Sequence, residues 1–186
     1  MSMTAPNART APQKTAPPSL ANDWQVLAAL AVAKPIDIAS VCATTARIMA
    51  VSPEEVGFLK VRGLSLEFVF PFELKSAGRI PLSSSAVAAR TVTAKKPEVF
   101  NDFANVVHNS VFELVPLGGM TRNAGQQHIQ KLMSFPVLDS SRKAIGVIQI
   151  SRKGHTRSEA GPDFTNEDME KLAQISQLLS FAFEEL

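Results

Sequence analysis

Hydrophobic positions in the first quarter of the chain recur at helical spacing. One apolar stripe predicts a helix that Asn22 or Asp23 caps and that Pro35 ends or kinks. A second stripe predicts another helix over residues 36–50. The folded part of the chain is therefore expected to begin with two helices.

The pattern then changes to the two-residue period of strands. Residues 56–62 form a short apolar run, and residues 64–74 alternate between apolar and polar positions. The alternation places five large side chains on one predicted face: Leu64, Leu66, Phe68, Phe70 and Phe72. Because Gly63 marks a turn between the two runs, they are predicted to pair antiparallel.

The middle of the chain mixes short elements. The serines at 83–85 offer a cap for a helix over residues 86–94, and Pro97 precedes an extended "EVF". An amphipathic stripe predicts a further helix over 103–115, capped by Asp102. Residues 116–128 contain three glycines and lack periodicity, so a loop is expected there.

Two more strands and a helix complete the pattern. Residues 129–139 and 144–153 read as strands joined by the polar turn "SSRK". Thr165 and Asp168 resemble a capping box at the start of a closing helix that runs to Leu186. Strand pairs joined by short turns, with helices between them, predict an α+β fold with an antiparallel sheet.

Length and composition suit one soluble domain. The chain has 186 residues, of which 45% are hydrophobic and 19% charged. Residues 1–21 are rich in Ala, Pro and Thr and are predicted to be a disordered tail, which leaves 22–186 as a single domain. The only cysteine, Cys42, excludes an internal disulfide and favours a reducing compartment. No apolar run is long enough to cross a bilayer, so a cytoplasmic protein is expected.

The net charge of the chain does not indicate a particular class of binding partner. The net charge of +2 is too small to predict binding to nucleic acid or to a membrane surface.

Three segments in order resemble a GAF domain: "IPLSSSAVAARTVTAKKPEVFNDF", "LMSFPVLDSSRKAIGVIQISRK" and "PDFTNEDMEKLAQISQLLSFAFEEL". The resemblance covers residues 22–186. It implies an antiparallel sheet of about five or six strands. It also implies terminal helices on one face and, on the other, a ligand pocket that a helix and a loop cover.

The resemblance extends to the family's signature for cyclic-nucleotide binding, with departures. Lys153, Phe164 and Asp168 match it, whereas Arg152 and Met169 replace its Asn and Glu. The resemblance implies that Lys153 and Asp168 pair with each other, as a clasp between a strand end and the last helix. Phe164 is expected to anchor the start of that helix. The two departures disfavour cyclic-nucleotide binding.

The pocket that the resemblance implies has candidate lining residues along the predicted sheet and its cover. They are Phe68, Phe70, Phe103, Phe112, Met120, Arg122, Met133 and Phe135, with Asn123 and Gln126 as further polar candidates. Apolar walls with few polar groups suit a flat or hydrophobic small molecule, but the same aromatics can simply fill the core. The sequence indicates no particular cofactor.

Catalytic chemistry finds no support in the sequence. His108, His128 and His155 lack metal-ligand spacing, and the serine run is explained by helix capping. Some GAF domains reduce free methionine sulfoxide through pocket cysteines, whereas Cys42 lies in a predicted helix as a buried thiol. The expectation is that the protein is not an enzyme.

A large aromatic on the outer side of the last helix suggests a partner. Phe181 lies roughly opposite the apolar face, with Leu178 between the two. Either the first helix, through Trp24 and Leu27, or a second copy of the chain is expected to cover it. A homodimer is favoured.

The leading hypothesis is a non-catalytic sensory module that binds a small molecule or signals through its dimer interface to a separate protein. The alternatives are a pure interaction domain with a filled pocket and an enzyme that uses the pocket.

Overall fold

The computed structural model describes residues 20–103 and 127–186. Its α-helices are α1 (Leu20–Val32), α2 (Ile38–Met49), α3 (Val87–Ala94), α4 (Asn166–Leu178) and α5 (Ser180–Glu185). Short 3₁₀ turns span Pro53–Glu55 and Phe72–Ala77. The predicted tail, most of the helix predicted over 103–115 and most of the loop predicted over 116–128 lie outside the described residues.

Two predicted caps are wrong, and one was missed. Helix α1 begins at Leu20, and Asp23 lies inside it, buried and paired with Arg47 at 2.8 Å between Oδ1 and Nε. Helix α3 begins after Ala86, with no side-chain cap from the serines before it. The cap that sequence reasoning missed is Asp37, whose carboxylate accepts the backbone N–H of Ser40 and fixes the start of α2.

The described strands form one antiparallel sheet. They are β1 (Val56–Arg62), β2 (Ser65–Phe70), β3 (Ile80–Pro81), β4 (Glu98–Phe100), β5 (His128–Leu138) and β6 (Ala144–Gly154). Their spatial order is β3-β2-β1-β6-β5-β4, and every neighbouring pair is antiparallel. The predicted α+β class and antiparallel sheet are confirmed.

The strand predicted over 64–74 is shorter than expected and does not keep one face. Leu64 lies in the turn and is 87% exposed, and Phe72 lies beyond the strand end. The register shifts by one residue between Phe68 and Phe70, opposite Leu59 and Phe58 of β1. Such a bulge turns the next side chain to the other face. Phe68 and Phe70 therefore pack on opposite faces of the sheet.

The sheet has a core on each face. The helix-side core joins α1, α2, α4 and α5 to the sheet, for example through Leu27, Ile175 and Phe183 against Phe58 and Ile148. The other face carries α3, and we call its packing the α3-side core. There Ala89 and Val92 pack with Leu59, Leu66 and Val147.

The closing helix is divided into two segments at Leu179. That residue has ψ −1, yet the hydrogen bonds continue from its N–H to Ile175 O and from Phe183 N–H to Leu179 O. No helix in the described part of the chain combines the length and apolar character needed to span a membrane.

Candidate functional site

A cavity of about 370 Å³ opens on the face of the sheet that carries α3. Beta strands supply its floor and the two 3₁₀ turns supply its rim. The lining residues are Glu54, Glu55, Val56, Gly57, Phe68, Pro71, Glu73, Leu74, Ile129, Leu132, Gln149, Ser151 and Lys153. We call this hollow the acidic cavity, because three carboxylates and one ammonium group line it.

One side of the rim is held rigidly by the turn Pro53–Glu55. Glu55 Oε2 accepts the N–H of Ser52 at 3.0 Å, and its Oε1 accepts the N–H of Lys153 at 2.7 Å. The hydroxyl of Ser151 donates to the carbonyl oxygen of Glu55. Glu55 is therefore occupied in joining the turn to β6, and it is poorly placed to bind a ligand as well.

Lys153 belongs to this rim and not to the predicted clasp. Its ammonium donates to the carbonyl oxygen of Glu54 at 2.8 Å. Burial lowers the pKa of this ammonium, and the nearby Glu55 and Glu54 partly oppose that shift. Within the described ranges Lys153 forms no ion pair with Asp168, whose carboxylate instead accepts the N–H of Thr165 in a capping box. The predicted clasp between Lys153 and Asp168 is wrong, whereas the predicted capping box is confirmed.

Phe164 does anchor the segment before α4, with partners that sequence reasoning missed. Its ring is buried beneath the guanidinium of Arg152, 4.8 Å from Cζ to the ring centroid. Asn101 accepts the N–H of Phe164 and donates to its carbonyl oxygen. The departure of Arg152 from the family signature therefore has a structural reason, since its cation stacks on the aromatic ring.

Two carboxylates remain available at the acidic cavity. Neither Glu54 nor Glu73 has an ion pair among residues 20–103 and 127–186, and both are exposed at the rim. Gln149 on the floor donates its amide to Ser134, which also accepts the hydroxyl proton of Thr91 from α3. The site thus combines a partly apolar floor with two carboxylates at its mouth that have no ion pair in the described ranges.

The structure brings only part of the predicted pocket together. Phe68 lines the acidic cavity, and Phe103 packs near it with Val87 and Leu132 in the α3-side face. Phe70, Met133 and Phe135 pack into the helix-side core instead, so their assignment to the pocket is wrong. The predicted lining residues Phe112, Met120 and Arg122, with Asn123 and Gln126, lie outside the described residues.

The missed lining residues had a signal in the sequence. On β6, Gln149 and Ser151 alternate with the buried Ile148 and Ile150, so they must face the other side. The prediction of Met133 failed because its neighbour Leu132, not Met133 itself, has the cavity-facing position of β5.

The candidates for reactive chemistry lie elsewhere. Cys42 is buried in the helix-side core, on the opposite face of the sheet from the acidic cavity, and burial raises the pKa of its thiol. His128 and His155 are exposed, and His108 lies outside the described residues. The described residues hold no group of three metal-ligating side chains.

Of the residues predicted to form a dimer interface, only some are exposed. Leu27 is fully buried within the chain, so it is not available to a partner, and Trp24 packs at the edge of the same core. Leu178 and Phe181 remain exposed, at 37% and 41%. Lys34 Nζ lies 5.4 Å from the Phe181 ring centroid and covers part of it.

No protein-family model matches the sequence, and no curated protein matches it either. Solved structures do match its fold. The GAF domain of an Acinetobacter phosphoenolpyruvate-protein phosphotransferase has a TM-score of 0.64 at 12% identity, over 87% of this chain and 90% of that one. A GAF domain from A. Aeolicus has a TM-score of 0.58 at 14% identity, over 89% and 95%.

A third similar structure is an enzyme. It is the free methionine-R-sulfoxide reductase from Neisseria meningitidis in complex with its substrate, with a TM-score of 0.56 at 21% identity, over 94% of this chain and 96% of that one. This finding overturns the expectation that the protein is not an enzyme, because the same fold supports catalysis. At these identities the likeness shows the fold alone.

Proposed function

We propose that this chain, which has a GAF-like fold, binds a small molecule in the acidic cavity and acts as a regulatory module. The single observation that carries the proposal is the position of Glu54 and Glu73, which have no ion pair among the described residues, at the mouth of a partly apolar hollow. Apolar walls with a few placed polar groups are typical of ligand pockets.

The charge of the cavity favours a ligand with a cationic group. The exposed carboxylates at the mouth attract an ammonium or guanidinium group, with a strength that solvent screening reduces. Phe68 and Leu132 on the floor, with Leu74 on the rim, suit a hydrocarbon or aromatic part of a ligand. We therefore propose an amine, or an amino acid with an apolar side chain, as the ligand class.

A second candidate is catalysis on such a ligand. It is favoured by the structural likeness to a methionine-R-sulfoxide reductase that was solved with its substrate. Cys42 does not supply a thiol at the acidic cavity, so a reductase reaction here would need a different reducing group. Turnover of free methionine sulfoxide is therefore the direct test of this candidate.

The charge preference can be tested with two phenylethyl probes of opposite charge. We expect 2-phenylethylamine to raise the melting temperature and 3-phenylpropionate to leave it unchanged. At a ligand concentration of about 100 times Kd, binding stabilises the folded state by about 2.7 kcal/mol, or about 5–11 °C for a domain of this size. Differential scanning fluorimetry measures this shift, with free methionine sulfoxide as a further probe.

The carboxylates should control that preference. We expect Glu73→Gln and Glu54→Gln each to weaken amine binding on the order of 10-fold, by loss of a charge-assisted contact. Glu170→Gln on the exposed face of α4 is the matched control and should bind as the unmodified chain does. Equal stabilisation by the amine and the acid, or an unchanged affinity in both cavity variants, would contradict the proposal.

We further propose a homodimer through the outer side of the last helices, which passes the ligand signal to a separate protein. The support is the exposure of Phe181 and Leu178 on neighbouring segments, where Lys34 covers Phe181 only in part. We expect Phe181→Glu to halve the mass measured by light scattering after gel filtration. Phe72→Glu, at an exposed aromatic outside these helices, should leave the mass unchanged. If the mass is equal for Phe181→Glu and the unmodified chain, the interface lies elsewhere.

A further inference from the structure

A second cavity, of about 470 Å³, lies beside the acidic cavity and has the opposite charge. Both cavities contact Phe68 of β2 and residues of the 3₁₀ turn Phe72–Ala77. This second hollow is lined by the cations Lys60, Arg62, Lys75 and Arg79, with Glu67 as its side-chain carboxylate among the described residues. We call it the basic cavity.

Lys60 is the least expected of these cations. It is only 9% exposed, and its ammonium donates to a single described acceptor, the carbonyl oxygen of Glu184 at 3.2 Å. Burial lowers the pKa of this ammonium. An ammonium group has three donors, and a buried charge is stable only when it is paired or well hydrogen-bonded. Lys60 therefore has donors left for a ligand.

The other cations leave the cavity positive as well. Arg79 pairs with Glu67, and Arg62 Nη2 donates to the main-chain oxygen of Leu186 at 2.6 Å. Lys75 lies over the ring of Phe72, 4.9 Å from its centroid. Neither Lys60 nor Lys75 has an ion pair within the described ranges. Two ammonium groups in one hollow thus have no ion pair in the described part of the chain, although Glu184 and Glu185 lie near enough to Lys60 to oppose part of the fall in its pKa.

We propose that the basic cavity binds a small anion that carries a phosphoryl group. The N–H donors of Arg62 and Arg79 that Leu186 and Glu67 do not use can approach such a group, and the Lys60 ammonium adds a point charge. The volume lies within the range of about 300–1,000 Å³ that small-molecule sites occupy. The charged residues of this site differ from those of the acidic cavity, so the two proposals are tested with different variants.

Titration calorimetry at constant ionic strength tests the proposal with two probes, inorganic pyrophosphate and glycerol 3-phosphate. They distinguish a free phosphate species from a phosphate ester as the source of the anion. We expect saturable binding of at least one probe at one site per chain. Lys60→Met and Lys75→Gln should each weaken that binding on the order of 10-fold, since each removes a charge-assisted hydrogen bond.

The controls keep the result interpretable. Lys171→Gln removes a cation that pairs with Glu167 on α4, outside both cavities, and should bind the probe as the unmodified chain does. Lys75 is exposed, so Lys75→Gln should keep its fold even if Lys60→Met loosens α5. Absence of saturable binding by both probes overturns the proposal, and so does binding that Lys75→Gln weakens no more than Lys171→Gln does.

Discussion

Replacement of Gly146 by alanine is expected to destabilise the fold by about 3 kcal/mol, near the upper end of the cost of overpacking a core. A Cβ at this position of β6 would meet the ring of Phe183 and would lie 2.7 Å from the carbonyl oxygen of Leu59. The carbonyl belongs to the neighbouring strand and cannot move without breaking the sheet. At about 2–4 °C per kcal/mol, the melting temperature should fall by roughly 6–12 °C.

Gly57→Ala is the matched control for this prediction. Gly57 also lies in the sheet, on β1, but a Cβ there would meet its nearest neighbour, Gln149 Cβ, at an ordinary 3.7 Å. We expect its stability to change by less than about 1 kcal/mol. Thermal and urea unfolding of the two variants measures the difference. If Gly146→Ala is no less stable than Gly57→Ala, α5 does not pack on the sheet as described.

Gly146 illustrates which parts of the fold the sequence could predict. The strands β1, β5 and β6 were predicted within a residue or two, because their apolar runs have clear turn signals on both sides. The two-residue alternation also indicates which side chains of a strand face each side of the sheet. The alternation cannot indicate the close approach of α5 to β6, because that approach depends on tertiary packing. This packing makes a glycine necessary at position 146 of β6.

The errors in the predicted elements have local physical causes. Asp23 has the chemistry of a cap, but it is buried inside α1 and pairs with Arg47 of α2, whose side chain is exposed. The bulge between Phe68 and Phe70 breaks the alternation that appeared to place five side chains on one face. Both effects depend on residues that are distant in sequence or on the neighbouring strand, so local patterns could not show them.

The candidate site was less predictable than the fold. Aromatic and methionine residues attract attention in a sequence, yet Met133 and Phe135 belong to the opposite core. The residues that give the acidic cavity its charge, Glu54 and Glu73, lie in short 3₁₀ turns that no periodicity marks. Their proximity arises only when the sheet brings both turns to one edge of the hollow.

The clasp region gives the prediction with the largest expected effect. Because Phe164 is buried in the helix-side core and carries the stacked Arg152, Phe164→Ala should cost about 3–5 kcal/mol of stability. The substitution removes both the ring and its cation–π contact with the guanidinium of Arg152. Urea unfolding should show a lower midpoint with a similar slope.

The variant Asp168→Ala tests whether Phe164 or the predicted ion pair between Lys153 and Asp168 stabilises this junction. Asp168 accepts the N–H of Thr165 in the capping box, so its loss should cost only about 0.5–2 kcal/mol. Lys153→Met should not change that cost, since Lys153 contacts Glu54 and not Asp168. A double-mutant cycle over Lys153 and Asp168 should therefore show a coupling energy near zero. A coupling of more than about 1 kcal/mol, or a greater loss for Asp168→Ala than for Phe164→Ala, would restore the clasp. The expected result instead means that the Phe164 ring beneath Arg152, and not an ion pair, holds the end of β6 to the start of α4.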